Sequence, residues 1–188
     1  MKQFEMRFTG SGGQGVILAS VIFAEAGVIA GEHAVQSQAY GPEARGGTSK
    51  AETILSRNEI WFSKVVRPHF LLSLNQSSLD QFAPQLAEGA VVMIDDTLTV
   101  PEGLDPAGVI ALPILRTARE TVGKEMTANI VAVGAINAAL GLFSDEVLIQ
   151  AVRRHIPRGT AALNDRALAE GKALVSDEVR TRFRREVA

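Results

Sequence analysis

With 188 residues the chain has room for one domain whose core removes roughly 70% of the unfolded surface from water; a second full domain would be cramped. Hydrophobic residues make up 46% and aromatic ones only 5%, so the core is built from Val, Ile, Leu and Ala, the usual filling of parallel strands covered by helices on both faces. A net charge of -2 excludes the strong basic field of a nucleic-acid or anionic-lipid binder, and the absence of cysteine excludes disulfides, thiolate-held iron-sulfur clusters and a cysteine nucleophile.

The apolar runs are broken by Gly or charge well short of the about 20 residues that span a bilayer, and no basic-then-apolar leader opens the sequence. The expectation is a soluble cytoplasmic protein with neither nucleic acid nor membrane as partner. Charge is uneven: residues 151–188 hold nine Arg or Lys against five Asp or Glu. Such a segment is either a solvated basic face or a docking patch.

Gln3 to Thr9 alternates Phe4, Met6 and Phe8 with polar neighbours, which predicts a first strand with one well-buried face. Glycines follow at once, and Gln14 to Ala30 then carries apolar and small residues at helical spacing. A short strand around Ala34 to Gln38 leads into a second glycine-rich segment. Ser49 to Leu55 and Glu59 to Ser63 read as two strands joined by the turn Ser56-Arg57-Asn58, and so tight a connection predicts antiparallel pairing in a mixed sheet. Phe70 to Leu74 and Ala90 to Ile94 are short apolar strands flanking a helical pattern from Ser77 to Leu86. The stretch from Thr97 to Gly108 reads as a loop or a surface excursion, and Val109 to Leu112 is a further candidate strand.

The last third reads as helical. Thr127 to Gly141 is rich in small residues, Ala and Gly, which let a helix lie close against the sheet or a partner. Ser144 before Asp145 and Glu146, and Ser176 before Asp177 and Glu178, are N-cap signals. Val179, Phe183 and Val187 form an apolar stripe on the terminal helix. The fold class is therefore α/β: a three-layer α/β/α sandwich, Rossmann-like, with a mixed, mostly parallel sheet and one domain over residues 1–188.

Two loops carry the functional signal. In Gly10-Ser11-Gly12-Gly13-Gln14-Gly15, glycines 10, 12 and 15 match the dinucleotide spacing, in which a tight turn presents helix-end amides to a phosphate. A dinucleotide site also needs an acid about 20 residues on for the ribose hydroxyls, and the second strand offers Val35, Gln36, Ser37 and Gln38 instead. The turn either contacts a ligand or only tightens the strand-to-helix connection, with Gln14 capping its amides. The second segment, Gln36 to Ser49, includes Tyr40-Gly41-Pro42 turn chemistry, then Glu43 and Arg45-Gly46-Gly47. The Arg45 guanidinium suits a carboxylate or phosphate, or it pairs with Glu43 or Glu52.

Elsewhere the chemistry is sparse. His33, His69 and His155 lack partners at metal-ligand spacing and are read as capping or surface residues, so no metal site is expected. Asp95 and Asp96 could hold magnesium or act as a base, but paired acids at a strand end are more often a turn. No catalytic residue is assigned to this chain.

The two loops together resemble the gamma subunit, or gamma domain, of the 2-oxoacid:ferredoxin oxidoreductases, in which Gly-x-Gly-Gly-Gln-Gly is followed by Tyr-Gly-Pro-Glu-x-Arg-Gly-Gly-x-Ser. Here these are Gly10 to Gly15 and Tyr40 to Ser49, and the likeness extends to Asn129, Gly134, Asn164 and Gly171. The resemblance implies a non-catalytic accessory subunit, inactive alone. Its complex would decarboxylate a 2-oxoacid with thiamine diphosphate, magnesium and iron-sulfur clusters on alpha and beta subunits, with a delta subunit as a further candidate partner. The products would be an acyl-coenzyme A and reduced ferredoxin.

The form Gln36-Ser37-Gln38-Ala39-Tyr40 leans to the 2-oxoglutarate type over the pyruvate and branched-chain types. In this reading Gly10, Ser11, Gly12, Gly13, Gln14, Gly15 and Arg45 contact coenzyme A or a partner subunit. Tyr40, Gly41, Pro42, Glu43, Arg45, Gly46 and Gly47 form an interface. The alternative is a free-standing nucleotide-binding oxidoreductase, carried only by the glycine spacing.

Overall fold

The computed structural model describes residues 3–40 and 48–184, the Tyr40 side chain excepted. Six strands form one sheet: β1 (Phe4–Ser11), β2 (His33–Tyr40), β3 (Thr48–Ser56), β4 (Phe70–Ser73), β5 (Val91–Asp95) and β6 (Val109–Leu112). Their spatial order is β2-β3-β1-β4-β5-β6. β1, β4, β5 and β6 pair in parallel, while β3 runs antiparallel to both β1 and β2. Only β3 is reversed, so the sheet is mixed and mostly parallel, as the sequence predicts.

The reason for the mixing differs from the sequence expectation. Residues 59–63 form no strand, because both edges of β3 are already taken by β1 and β2 and a strand after Ser56 has nowhere to pair. The antiparallel hairpin is instead β2 with β3, joined through residues 41–47, and Gln36 to Tyr40 belong to β2 rather than to a loop.

The helices are α1 (Val16–Ile29), α2 (Gln76–Phe82), α3 (Ile114–Arg116), α4 (Ala128–Leu140), α5 (Asp145–His155), α6 (Ala161–Ala173) and α7 (Asp177–Phe183). A π-helical turn over Thr117–Val122 continues α3. One sheet face, with Phe4, Met6, Phe8, Phe70, Leu72, Met93 and Ile110, packs under α1 and α4, and α5 and α6 pack outside them. On the other face Leu71, Val92 and Ile94 meet Leu79 and Phe82 of α2. Val179 and Phe183 of the predicted terminal stripe join the larger core, and Val187 lies outside the described residues.

β1 is buried on both faces, against the expectation of one. Its polar positions Arg7 and Thr9 are only 2% and 0% exposed. Arg7 survives there because Nε donates to Glu52 Oε1 at 2.8 Å, while its other nitrogens donate to Gln85 Oε1 and the Val65 carbonyl. Such a buried pair is tolerated only when its remaining polar atoms are also satisfied.

α2 ends earlier than the periodicity suggests, giving way to a 3-10 turn over Ala83–Gln85 where Pro84 supplies no amide. The predicted caps hold: Ser144 accepts from the Val147 amide and Ser176 from the Val179 amide. At the crossing of α4 and α6, a Cβ on Gly134 would collide with the Leu168 carbonyl and one on Gly171 with the Val131 carbonyl. Those two glycines set the distance between the helices.

Candidate functional site

The first glycine segment is the link between β1 and α1. Gly10 and Ser11 close the strand, paired with Ser49 and Thr48 of β3. Gly12 and Gly13 form the exposed tip, and Gly15 is the residue before the helix, with a left-handed φ of 71°. Gln14 folds back over the turn: Oε1 accepts from the Ser11 amide at 2.6 Å and Nε2 donates to the Leu74 carbonyl at 3.1 Å. A Cβ on Gly10 would lie 2.6 Å from that Oε1, which explains a glycine under the folded glutamine. Both halves of the Gln14 amide are thus engaged within the protein, the capping role that the sequence leaves open.

α1 begins with no side-chain cap and no acidic residue in its first turn. Its leading amides and the positive end of its dipole therefore face the turn uncompensated, an arrangement suited to an anionic oxygen.

The sheet topology puts this turn at a meaningful place. From β1 the chain moves through α1 to β2 on one flank, whereas from β4 it moves through α2 to β5 on the other, with α1 and α2 on opposite faces. The crevice at the carboxyl ends of β1 and β4 is the switch point where ligands bind in such sheets. Asn75, after β4, bridges that crevice by donating from Nδ2 to Ser11 Oγ at 2.6 Å, and its Oδ1 caps α2 by accepting from the Ser78 amide. Asn129, at the start of α4, reaches the other side of the turn, with Nδ2 donating to the Gly15 carbonyl at 3.4 Å.

The contacts of Asn75 and Asn129 with the turn were missed from the sequence. Asn75 carried a readable signal, an Asn just ahead of a helical pattern. The contact of Asn129 across 114 residues had none.

The second segment leaves the sheet beside the first. Tyr40, the last residue of β2, pairs with Ser49, and Ser49 pairs with Gly10. The connection between Tyr40 and Thr48 therefore springs from the same sheet end as the glycine turn. The calls on Gly41, Pro42, Glu43, Arg45, Gly46 and Gly47 lie outside the described residues. Of the two carboxylates considered for Arg45, Glu52 is held by Arg7 and by Lys50 at 3.2 Å. β2 itself, His33–Tyr40, carries no acid of the kind that anchors a dinucleotide ribose.

The remaining candidates resolve as structural. Asp95, fully buried, accepts from the Thr97 amide and hydroxyl and from the Leu115 amide, so it fastens a turn and the start of α3. Asp96 pairs with exposed Arg116. His69 stacks on Phe4 and accepts from the Glu5 amide, His155 meets Glu25, and His33 is exposed at the start of β2. Among the described residues no group of His, Asp or Glu is arranged to hold a metal. In the basic C-terminal third, Arg153, Arg154, Arg166 and Arg180 bind Asp165, Glu25, the Thr121 carbonyl and the Lys172 carbonyl.

One cleft of about 660 Å³ lies between Gly103–Gly108 and Arg182–Arg184, and another of about 220 Å³ lies among α4, α5 and α6. Neither touches the glycine turn. Topology and backbone dipoles converge on the turn.

Residues 5–174 match the family model described as pyruvate ferredoxin/flavodoxin oxidoreductase. The 2-oxoglutarate synthase subunit KorC of Methanocaldococcus jannaschii is 38% identical over 170 residues, which are 89% of this chain and 91% of that one. The gamma subunit of a keto/oxoacid ferredoxin oxidoreductase from Geobacter sulfurreducens superposes with a TM-score of 0.83 at 40% identity, covering 93% of this chain and 97% of that one. A 2-oxoglutarate:ferredoxin oxidoreductase from Magnetococcus marinus, solved with 2-oxoglutarate, coenzyme A and succinyl-CoA bound, shares the fold with a TM-score of 0.80 at 23% identity. It is covered by 93% of this chain, which spans 31% of that one.

Proposed function

Because the chain belongs to the pyruvate ferredoxin/flavodoxin oxidoreductase family, we propose that it is the gamma subunit of a cytoplasmic 2-oxoacid:ferredoxin oxidoreductase of the 2-oxoglutarate type. The complex converts a 2-oxoacid and coenzyme A to acyl-coenzyme A and carbon dioxide, and the two electrons released pass to ferredoxin. The observation that carries the reading is the phosphate-type turn at the sheet switch point, in a chain matched nearly end to end by oxidoreductase gamma subunits.

This division of labour agrees with the chemistry of the residues. The sequence has no cysteine to ligate a cluster, and the described residues offer no metal-binding carboxylate group for a magnesium diphosphate. In this reading thiamine diphosphate and the clusters reside on the alpha and beta partners.

The part assigned to this chain is to help seat coenzyme A. Its phosphates are anionic, and the leading amides of α1, with the open backbone at Gly12 and Gly13, are the groups that would meet them. Gln14 acts indirectly, by holding Ser11 and Leu74 in place so that the turn keeps its shape. The coenzyme A bound in the Magnetococcus protein supports the choice of ligand class.

Gly12 supplies a clean test, because a Cβ there meets nothing within 4 Å and its backbone is not left-handed. In the complex reconstituted with its partner subunits, Gly12→Asp should raise KM for coenzyme A about tenfold by placing a negative charge at the helix end. KM for the 2-oxoacid and the thermal midpoint should not move. An unchanged coenzyme A requirement would remove the turn from the binding role. Failure of the wild-type chain to support ferredoxin reduction with any thiamine-bearing partner would remove the subunit assignment.

A further inference from the structure

Three of the five large apolar side chains exposed among the described residues fall within six consecutive positions: Trp61 at 88%, Phe62 at 61% and Val66 at 59%. They lie on the irregular segment between β3 and β4, the stretch that finds no strand partner. Trp61 is the single tryptophan of the chain. An indole left almost wholly in water forfeits one of the largest apolar burials any side chain offers, and clustered exposed aromatics mark interaction surfaces.

The display is held firmly from behind. Val65 is buried and its carbonyl accepts from Arg7 Nη2 at 3.3 Å. The Pro68 carbonyl accepts from the Ala87 amide, and the His69 amide donates to the Glu5 carbonyl. The base of the segment is thus fastened to β1 and to the connection before β5, while its aromatic side chains face outward. A surface ordered before it binds loses little entropy on binding.

Charge defines the occupant. Within residues 57–67, Arg57, Lys64 and Arg67 are exposed against one acid, Glu59; behind them the Glu5 carboxyl meets the Val66 backbone and Glu32 lies near Arg57, which leaves Lys64 and Arg67 as the cations beside the aromatic pair in sequence. Lys64 and Arg67 hold no ion pair among the described residues, so their donors are open to an incoming carboxylate. An aromatic pair rimmed by cations is the composition of a protein hot spot.

In the Magnetococcus chain the same fold accounts for 31% of the length, so there the unit is one part of a longer polypeptide. The Geobacter gamma subunit, 97% of which this chain covers, is by contrast a chain of its own, and such a chain holds its neighbours without a covalent link.

We propose that Trp61, Phe62 and Val66, with Lys64 and Arg67 at their rim, dock this chain onto a partner polypeptide of its own complex that presents an apolar cleft edged by Asp or Glu. The proposal rests on the subunit reading given above. It concerns a surface other than the glycine turn.

The test uses the complex assembled from the full-length chain and its partner subunits. Trp61→Ser and Phe62→Ser should each weaken association roughly thirtyfold or more, without changing the thermal midpoint of the isolated chain. Lys64→Glu with Arg67→Glu should slow association and flatten its salt dependence. 5-Fluorotryptophan placed at Trp61 should show its fluorine resonance move when unlabelled partner is added.

If the wild type assembles and Trp61→Ser assembles with equal affinity, the docking surface is overturned and the subunit reading stands. If the wild type meets no partner at all, both fall. Trp61-dependent self-association of the isolated chain, or Trp61-dependent binding to phosphatidylserine vesicles, would assign the patch to another occupant and overturn the proposal.

Discussion

Gly15 is constrained twice: its φ of 71° lies in the left-handed region, and a Cβ there would sit 2.6 Å from Asn129 Nδ2. The dihedral alone disfavours an L side chain by roughly 1–2 kcal/mol, so Gly15→Ala should lower stability by at least about that much in denaturant unfolding, with the slope unchanged. The buried Arg7–Glu52 pair makes a sharper prediction. The Glu52 side chain is 6% exposed, so Arg7→Met leaves a buried carboxylate with Lys50 at 3.2 Å as its remaining ion-pair partner and should cost about 3 kcal/mol. Replacing both partners by Met should cost less than Arg7→Met alone, a sign that equilibrium unfolding of the three variants would read directly. The glycine spacing around Gln14 was legible because it is local. The burial of Arg7 was not, because alternation in one strand does not reveal what covers its second face.

At the scale of elements, α4 and α6 cross through Gly134 and Gly171, where backbone carbonyls approach so closely that no side chain fits. Backbone cannot yield as a side-chain tip can, so Gly171→Ala should destabilise by about 3 kcal/mol, with the thermal midpoint as readout. The small-residue run from Thr127 announced a close approach to the sheet or a partner, and the close neighbour at Gly134 is another helix of the same chain, α6. The β strands were found more readily than their pairing. Residues 59–63 look extended and apolar, yet β3 was already flanked by β1 and β2, a fact settled by the hairpin through residues 41–47 and invisible to local pattern. The aromatic residues that the sequence places in a strand, Trp61 and Phe62, instead stand exposed on the β3–β4 connection.

For the whole molecule, charge ties the C-terminal third to the first helix. Hydrogen bonds from Arg154 and His155 hold the Glu25 carboxyl below its ordinary value of 4.5. With the folded value below the unfolded one, this stabilisation is fully present above about pH 4.5 and is lost as pH falls through the lowered folded value. Burial pushes Glu5 and Glu32 upward, which gives an opposing slope just above the same pH. Glu25→Gln should therefore make acid unfolding less steep below about pH 4.5, seen in thermal midpoints collected against pH. Exposed partners keep the effect small.

What the residues determine by themselves is local: an α/β chain with a strand, a glycine turn and a helix at its start, capped helices at its end, and no thiolate chemistry. These follow from dihedral preference, periodicity and composition, which act over a few neighbours. Tertiary structure decided that Gln14 locks its own turn, that Asn75 and Asn129 flank it, that both glycine segments leave one end of the sheet, and that Trp61 stands in solvent. Each of these depends on which distant segments the sheet order brings together, and a one-dimensional pattern carries no distance between residues that meet only after folding.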